Sequence, residues 1–198
     1  MLILLRHGES TGNAEGRLLG RIDAPLTDRG RVQARALAPS VVGATRLISS
    51  PLTRARETAE ELRTGLTIEV DERWVELDYG EYDGLPLSSV PASLWATWRS
   101  DPDFRPPGGE SLADVGTRAR TACEELFGAD GVGARGEGPV VVVSHVSPIK
   151  AATCWALGLA DTGVWRLYLA TGSVTRIGWG PSGPVLDRYN EVPWSVPG

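Results

Sequence analysis

The sequence of 198 residues is poor in the side chains that build metal clusters and disulfide frameworks. It has two cysteines, Cys123 and Cys154, with no CxxC spacing, and two histidines, His7 and His145. This composition excludes a structural zinc cluster unless carboxylates provide most of the ligands. We expect both cysteines to be free, buried thiols in a reducing cytoplasm.

Lysine is almost absent, because Lys150 is the single lysine among 20 basic residues, and the net charge is −5. Nucleic acids and anionic membranes bind concentrated basic faces, so we expect neither as the main partner. A small anion needs only a local positive pocket. Arginine matches the geometry of phosphate oxygens, which keeps a small phosphate ester as a candidate partner.

Long apolar runs are also missing, and none approaches the roughly 18 residues of a membrane span. The run Leu2 to Leu5 stops at Arg6 and His7 and is too short for a signal peptide core. We therefore expect a cytoplasmic protein with no membrane contact. Length and an apolar fraction of 41% favour one domain over residues 1–198. The sequence leaves a homodimer open.

Short apolar runs alternate with amphipathic stretches, as in βα units. Leu2–Leu5 and Val140–Val143 predict central buried strands, and Arg46–Ser49 predicts a third. Late strands are predicted near 167–170, 173–179 and 184–188. The expected fold is an α/β/α three-layer sandwich around a mostly parallel mixed sheet.

Capping residues mark the start of several helices. Ser50 before Pro51 predicts one start with Ser50 as the N-cap, and Ser111 with Asp114 has the capping-box pattern. Ser147 and Pro148 mark another helix, which Gly158 ends. Another helix is predicted over 26–42, with inward-facing Val32, Leu37 and Val41.

Two stretches break the alternation. Residues 128–138 contain five glycines and are expected to form a flexible surface connection, since they lack the spacing of a phosphate loop. Residues 79–109 have no clear period and predict a lid-like excursion. Trp95 and Trp98 would share a helix face there. The aromatic residues of this segment either pack it onto the body or form an apolar wall for an organic alcohol.

Both histidines follow predicted buried strands, where α/β sheets open their ligand crevice. His145 also precedes a helix N-terminus, which favours anions. After the third strand, Arg54 and Arg56 lie in the first turn of a helix, although Arg56 is the more typical of a solvated surface. Three strand ends thus bring histidines and arginines together around a site suited to a phosphoryl group.

Five ordered segments then point to a known family. LLRHGES with Asn13 is similar to an RHG signature, and Gly20, Asp23, PLT at 25–27 and Gly30 are similar to the stretch that follows it. SSPLTRARETAE carries the expected phosphate-binding arginine as Arg54, and residues 76–80 resemble the block with the proton donor. PGGES at 107–111 and VVVSH at 141–145 complete the set. Together these segments resemble the histidine phosphatase superfamily, which includes cofactor-dependent phosphoglycerate mutases and many phosphatases.

The resemblance implies a phosphoglycerate mutase-like fold and a metal-independent phosphomonoester hydrolase that needs no cofactor. His7 would be the nucleophile that becomes phosphohistidine, and Glu76 the general acid and base, with Glu81 or Asp83 as alternatives. Phosphate oxygens would be bound by a set of arginine, histidine, asparagine and backbone groups: Arg6, Arg54, His145, Asn13, Gly20 and Val146.

Two other functions stay open at this stage. A phosphoglycerate mutase must bind a second anionic group, yet residues 77–109 hold two arginines, Arg99 and Arg105, against five acids, which disfavours it. A non-catalytic phospho-ligand-binding protein is the other alternative, since fold does not fix function. The chain also departs from the family at Val146 and Ser147, where glycines are usual, and at Leu19, where relatives often have Thr or Gln.

Overall fold

The computed structural model describes residues 1–128 and 138–193. The glycine-rich connection predicted at 128–138 therefore lies almost entirely outside the described residues. A six-stranded sheet forms the centre, in the order β3-β2-β4-β1-β5-β6. Its strands are β1 Leu2–Arg6, β2 Arg46–Ser49, β3 Ile68–Val70, β4 Val140–Ser144, β5 Val174–Gly180 and β6 Gly183–Glu191.

Parallel pairing brings the ends of three strands level at one edge of the sheet. β1, β2, β3 and β4 pair in parallel, while β5 is antiparallel to β1 and β6. Arg6 lies opposite Ser144, and Ser49 lies opposite Val143. The residues that follow β1, β2 and β4 consequently meet at the same edge, as the sequence predicts.

Helices cover both faces of this sheet. The helices are α1 Thr11–Ala14, α2 Asp28–Ala36, α3 Thr53–Glu61, α4 Ala92–Ser100, α5 Leu112–Phe127 and α6 Val146–Ala156. Alternate strand residues such as Leu4 and Val142 pack with α5 and α6, whereas Leu5 and Val143 pack with α3 and the residues after α2. The predicted three-layer sandwich around a mostly parallel mixed sheet is confirmed.

The predicted strands differ from the structure at two places. Residues 167–170 form no strand, because the backbone N–H of Ala170 is bonded to the side chain of Asn190 at 2.7 Å instead of a neighbouring strand. The prediction missed β3, because this strand has only three residues and two of them are exposed, so it forms no apolar run. The three central strands are confirmed.

The helix starts agree with the structure in part. The capping box of Ser111 and Asp114 is confirmed, and α6 ends just before Gly158, whose φ is +64°. Ser50 is not an N-cap, because α3 begins at Thr53 and the hydroxyl of Ser50 bonds to His145.

The predicted helix over 26–42 is two shorter elements. α2 ends at Ala36, and a 3₁₀ helix covers Ala38–Val41 with a proline in its first turn. Leu37 and Val41 are buried as expected. The inward placement of Val32 is wrong, because α2 buries its Gly30, Gln33 and Ala34 positions and leaves Val32 56% exposed.

Residues 79–109 contain two 3₁₀ turns and α4. Trp95 and Trp98 share a face of α4, with ring centroids 5.3 Å apart. Trp98 is buried and also contacts the rings of Tyr79, Tyr82 and Phe104. Most of these aromatics therefore pack against one another.

In the described ranges, no helix is both long and apolar enough to cross a membrane.

Candidate active site

A pocket of about 210 Å³ opens at the edge where β1, β2 and β4 end. Its floor carries charged and polar side chains, and its outer wall is largely apolar. The lining residues are Arg6, His7, Asn13, Arg17, Leu18, Leu19, Arg54, Glu76, Tyr79, Leu87 and Val146.

His7 follows β1, and its orientation is fixed by the backbone. Nδ1 lies 2.6 Å from the carbonyl oxygen of Gly8, so Nδ1 donates there and Nε2 is left unprotonated. Gly8 is required because a Cβ at this position would clash with the Gly30 carbonyl oxygen. Burial, followed by the charges of Arg54 and Arg6, holds the pKa of His7 well below its usual value. A neutral imidazole in this tautomer is suited to nucleophilic attack.

Arg54 on α3 is held by three acceptors. Nη2 donates to the Gly20 carbonyl at 2.7 Å, Nη1 to the Ile22 carbonyl at 3.0 Å, and Nε to Nδ1 of His145 at 3.2 Å. A guanidinium has five N–H donors, so two donors of Arg54, one on each terminal nitrogen, have no acceptor within the described residues. The side chain is buried and lines the pocket. These two donors are available for phosphate oxygens.

His145 is buried behind Arg54 and is also fixed in one tautomer. Arginine can only donate, so Nδ1 of His145 accepts and its proton is on Nε2. Nε2 lies 2.7 Å from Oγ of Ser50 and donates to it. Burial first, then the charge of Arg54, holds the pKa of His145 well below its usual value. Its ring centroid lies 5.0 Å from that of His7.

Arg6 and Asn13 complete the polar floor. Arg6 donates from Nη1 to the Leu169 carbonyl at 2.6 Å, while its buried Nε has no hydrogen-bond partner in the described part of the chain. Burial lowers the pKa of Arg6 to about 10, so the side chain stays charged at neutral pH. Oδ1 of Asn13 accepts from the Ser10 N–H at 3.1 Å, which leaves the amide nitrogen of Asn13 for a ligand.

Glu76 is the only carboxylate among the described lining residues. Its Oε1 accepts from the backbone N–H groups of Leu77 at 2.8 Å and Ser147 at 3.1 Å, and its Oε2 from that of Val146 at 3.0 Å. Of the alternative acids, Glu81 is exposed and Asp83 is bonded to backbone N–H groups outside the pocket. Position therefore favours Glu76 among the three.

The structure brings most of the predicted site residues together in the lining of one pocket. Arg6, His7, Asn13, Arg54, Glu76 and Val146 line the pocket, whereas His145 and Gly20 lie behind Arg54 and bond to it. The N–H of Val146, predicted to face phosphate, is bonded to Glu76. The roles of these residues stay predictions.

The prediction missed part of the outer wall of the pocket. The missed residues are Arg17 and Leu18, which come from the loop after α1. Leu87 also lines the pocket, and it lies in the 79–109 segment, for which an apolar wall is one of the two predicted alternatives. That segment is tied to the loop by two backbone bonds: the N–H of Leu18 donates to the Leu85 carbonyl at 2.8 Å, and the N–H of Gly84 donates to the Leu18 carbonyl at 2.7 Å. Two other lining residues did give a signal in the sequence: Tyr79 lies in the motif at 76–80, and Leu19 departs from the family pattern. No group of three or more His, Cys, Asp or Glu suited to a metal occurs within 1–128 and 138–193.

The two buried histidines predict a stability that depends on pH. An unfolded histidine binds a proton near pH 6.5, whereas His7 and His145 in the folded protein bind one only at lower pH. The unfolded state then binds more protons, so the unfolding free energy should fall as the pH drops below about 6.5. Urea denaturation between pH 7.5 and 5.5 measures this slope. His7→Asn should reduce the slope, and equal stability at both pH values would contradict the prediction.

The chain resembles known phosphatases in both sequence and fold. Residues 2–192 match the model of the histidine phosphatase superfamily, branch 1. A glucosyl-3-phosphoglycerate phosphatase of Mycobacterium tuberculosis is 37% identical over 169 residues, which cover 80% of this chain and 75% of that protein. Phosphoserine phosphatase 1 of Hydrogenobacter thermophilus is 34% identical over 174 residues, 83% of this chain and 79% of that protein.

A solved structure agrees with these relatives. The mycobacterial glucosyl-3-phosphoglycerate phosphatase in complex with VO3 aligns with a TM-score of 0.86 at 34% identity, and the alignment covers 96% of this chain and 98% of that one. Family model, relatives and fold all lead to the same assignment. The chain belongs to the histidine phosphatase superfamily.

Proposed function

We propose that this protein is a metal-independent phosphomonoester hydrolase that acts on a small organic phosphate ester through a phosphohistidine on His7. The observation that carries the proposal is the Nε2 atom of His7, which is unprotonated because Nδ1 is bonded to Gly8. The same pocket holds Arg6, Arg54 and Glu76. The names of the phosphatase relatives support the same reaction class.

The reaction divides into two transfers at one phosphorus. Nε2 of His7 attacks, an N–P bond forms and the ester P–O bond breaks, while protonated Glu76 gives its proton to the departing alcohol oxygen. Glu76 as carboxylate then takes a proton from water, whose oxygen attacks phosphorus and releases His7 and inorganic phosphate. Arg6 and Arg54 stabilise the charge on the equatorial oxygens during both transfers.

The arginines give the site the positive charge that other phosphatases obtain from metal ions. Arg54 is buried and Arg6 is partly buried beside the buried His7, where charges act more strongly than in water. We therefore propose no metal and no cofactor for the reaction.

The remaining assignments concern the setting of the enzyme. We propose a cytoplasmic enzyme, because Cys123 and Cys154 are both free and buried. The net charge of −5 supports a small molecule over a nucleic acid as its partner.

A mutase remains the second candidate, because one cation outside the 79–109 segment reaches the pocket wall. Arg17 lines the pocket, but its Nε donates to Glu15 at 2.6 Å and its Nη1 to the Gly84 carbonyl at 2.9 Å. These partners offset its charge. Arg105 is paired with Asp114. A second anionic group would therefore find little uncompensated charge at the outer wall, which favours hydrolysis.

The test is hydrolysis of p-nitrophenyl phosphate and of phosphorylated metabolites in the presence of EDTA. We expect full activity with EDTA and negligible interconversion of 3-phosphoglycerate and 2-phosphoglycerate, even with 2,3-bisphosphoglycerate supplied. Loss of activity on chelation, restored by a divalent ion, would contradict metal independence. Mutase turnover comparable to hydrolysis would favour the mutase, and binding of phosphate esters without turnover would favour a non-catalytic binding protein.

A further inference from the structure

The loop at residues 20–22 is fixed to the 79–109 segment by one carboxylate. Oδ1 of Asp83 accepts from the backbone N–H of Gly20 at 2.7 Å. Its Oδ2 accepts from the N–H of Arg21 at 2.6 Å and from that of Ile22 at 2.8 Å. Bonds to an ionised acceptor are stronger than neutral ones. Asp83 therefore restrains three successive peptide groups.

The same loop holds Arg54 from its other side. The carbonyls of Gly20 and Ile22 accept from the two terminal nitrogens of Arg54 at 2.7 and 3.0 Å. The N–H groups of the loop thus donate to Asp83, and the carbonyls of the loop accept from Arg54. A shift of the loop would move both acceptors of the guanidinium together.

Close packing leaves this loop little room to adjust. A Cβ at Gly20 would lie 2.5 Å from the Leu77 carbonyl oxygen, so the backbone of Gly20 is already in tight contact with the chain beside Glu76. The next residue, Asp23, accepts from the N–H of Thr53 at 2.8 Å at the start of α3. Asp83 is the attachment on the side of the 79–109 segment, and Asp23 is the attachment on the side of α3.

We propose that Asp83 is a positioning residue, which fixes the loop at residues 20–22 so that the two remaining N–H donors of Arg54 face the phosphoryl group. Asp83 does not line the pocket and does not touch the reacting atoms. It acts through Arg54, and by way of Nε of Arg54 on His145. This inference rests on the proposed function, because it assigns Arg54 to the phosphoryl group.

Asp83→Asn is the sharpest substitution. An asparagine keeps the size of the side chain but has one acceptor oxygen, and its NH₂ group would face an N–H donor of the loop. Displacing a substrate-positioning group by about 1 Å costs on the order of 10²-fold in rate. We expect a loss of about that size in kcat/KM for p-nitrophenyl phosphate, with a comparable weakening of inhibition by inorganic phosphate.

Asp103→Asn is the matched control, because it makes the same chemical change in the same segment at an exposed position. We expect it to retain wild-type kinetics. Asp83→Glu restores two acceptor oxygens and should recover most of the activity that Asp83→Asn loses. This rescue distinguishes a lost carboxylate from a variant that fails to fold, which thermal unfolding also reports.

A double-mutant cycle with Arg54→Lys identifies the route of the effect. Lysine cannot bond to both loop carbonyls and His145 at once, so Asp83→Asn should cost much less in the Arg54→Lys background than alone. Fully additive losses would overturn the proposal, as would wild-type kinetics and wild-type phosphate inhibition in Asp83→Asn. A wild-type protein without phosphatase activity would instead contradict the proposed function, so the two failures are distinguishable.

Discussion

His7→Ala is expected to abolish hydrolysis of every phosphate monoester that the wild-type protein accepts. The variant lacks the Nε2 atom that forms the N–P bond. His145 does not replace it, because His145 lies behind Arg54 and its two ring nitrogens are bonded to Arg54 and Ser50. Loss of a nucleophile typically costs more than about 10⁴-fold in kcat. The measurement is the steady-state rate of p-nitrophenyl phosphate hydrolysis.

The covalent intermediate gives an independent readout of the same substitution. Wild-type protein quenched during turnover with ³²P-labelled substrate should carry phosphate that is labile in acid and stable in base, and His7→Ala should carry none. Circular dichroism and urea denaturation show whether the variant is folded. Undiminished activity in His7→Ala, or labelled phosphate on a serine, would remove His7 from its role.

Glu76→Gln should slow the hydrolysis of alkyl phosphates by about 10²- to 10⁴-fold, the usual range for a general acid. An alkoxide leaves poorly without a proton, whereas p-nitrophenolate leaves readily. We therefore expect a much smaller loss with p-nitrophenyl phosphate than with an alkyl ester. The measurement is kcat/KM for the two esters side by side.

Comparing two leaving groups is needed because Glu76 also bonds to the start of α6. A glutamine has one oxygen for the three backbone N–H groups that Glu76 now accepts from, so the N-terminus of α6 can shift. Such a shift would slow both esters alike, and that result would assign Glu76 a purely structural role. Glu81→Gln, the same change at an exposed position, is the matched control and should behave as wild type.

Local patterns in the sequence were enough to predict the three-layer fold. The apolar runs of β1 and β4 are buried along their whole length in the structure, apart from the partly exposed Arg6, because a strand covered on both faces has no polar side. The ordered motifs predict the superfamily, which the family model confirms. They also predict that His7 and Arg54 meet at one sheet edge, since parallel strands end together.

Local patterns failed where a distant contact competed for the same group. Ser50 before Pro51 has the pattern of an N-cap, yet its hydroxyl bonds to His145, 95 positions away. Val32 has the spacing of an inward residue, but the neighbours of α2 bury a different face of that helix. In both cases the competing partner comes from another part of the chain, which a window of neighbouring residues does not contain.

The sequence by itself determined the fold class and the chemical character of the site, because both depend on periodicity and on residue type at strand ends. The tertiary structure decided which ring nitrogen of each histidine bears the proton. It also decided which carboxylate lines the pocket and which residues form the outer wall. Asp83 reaches the loop at Gly20 across 63 positions, and Arg54 reaches His145 across 91. Such contacts depend on how separate elements pack against one another, and no local pattern encodes that packing.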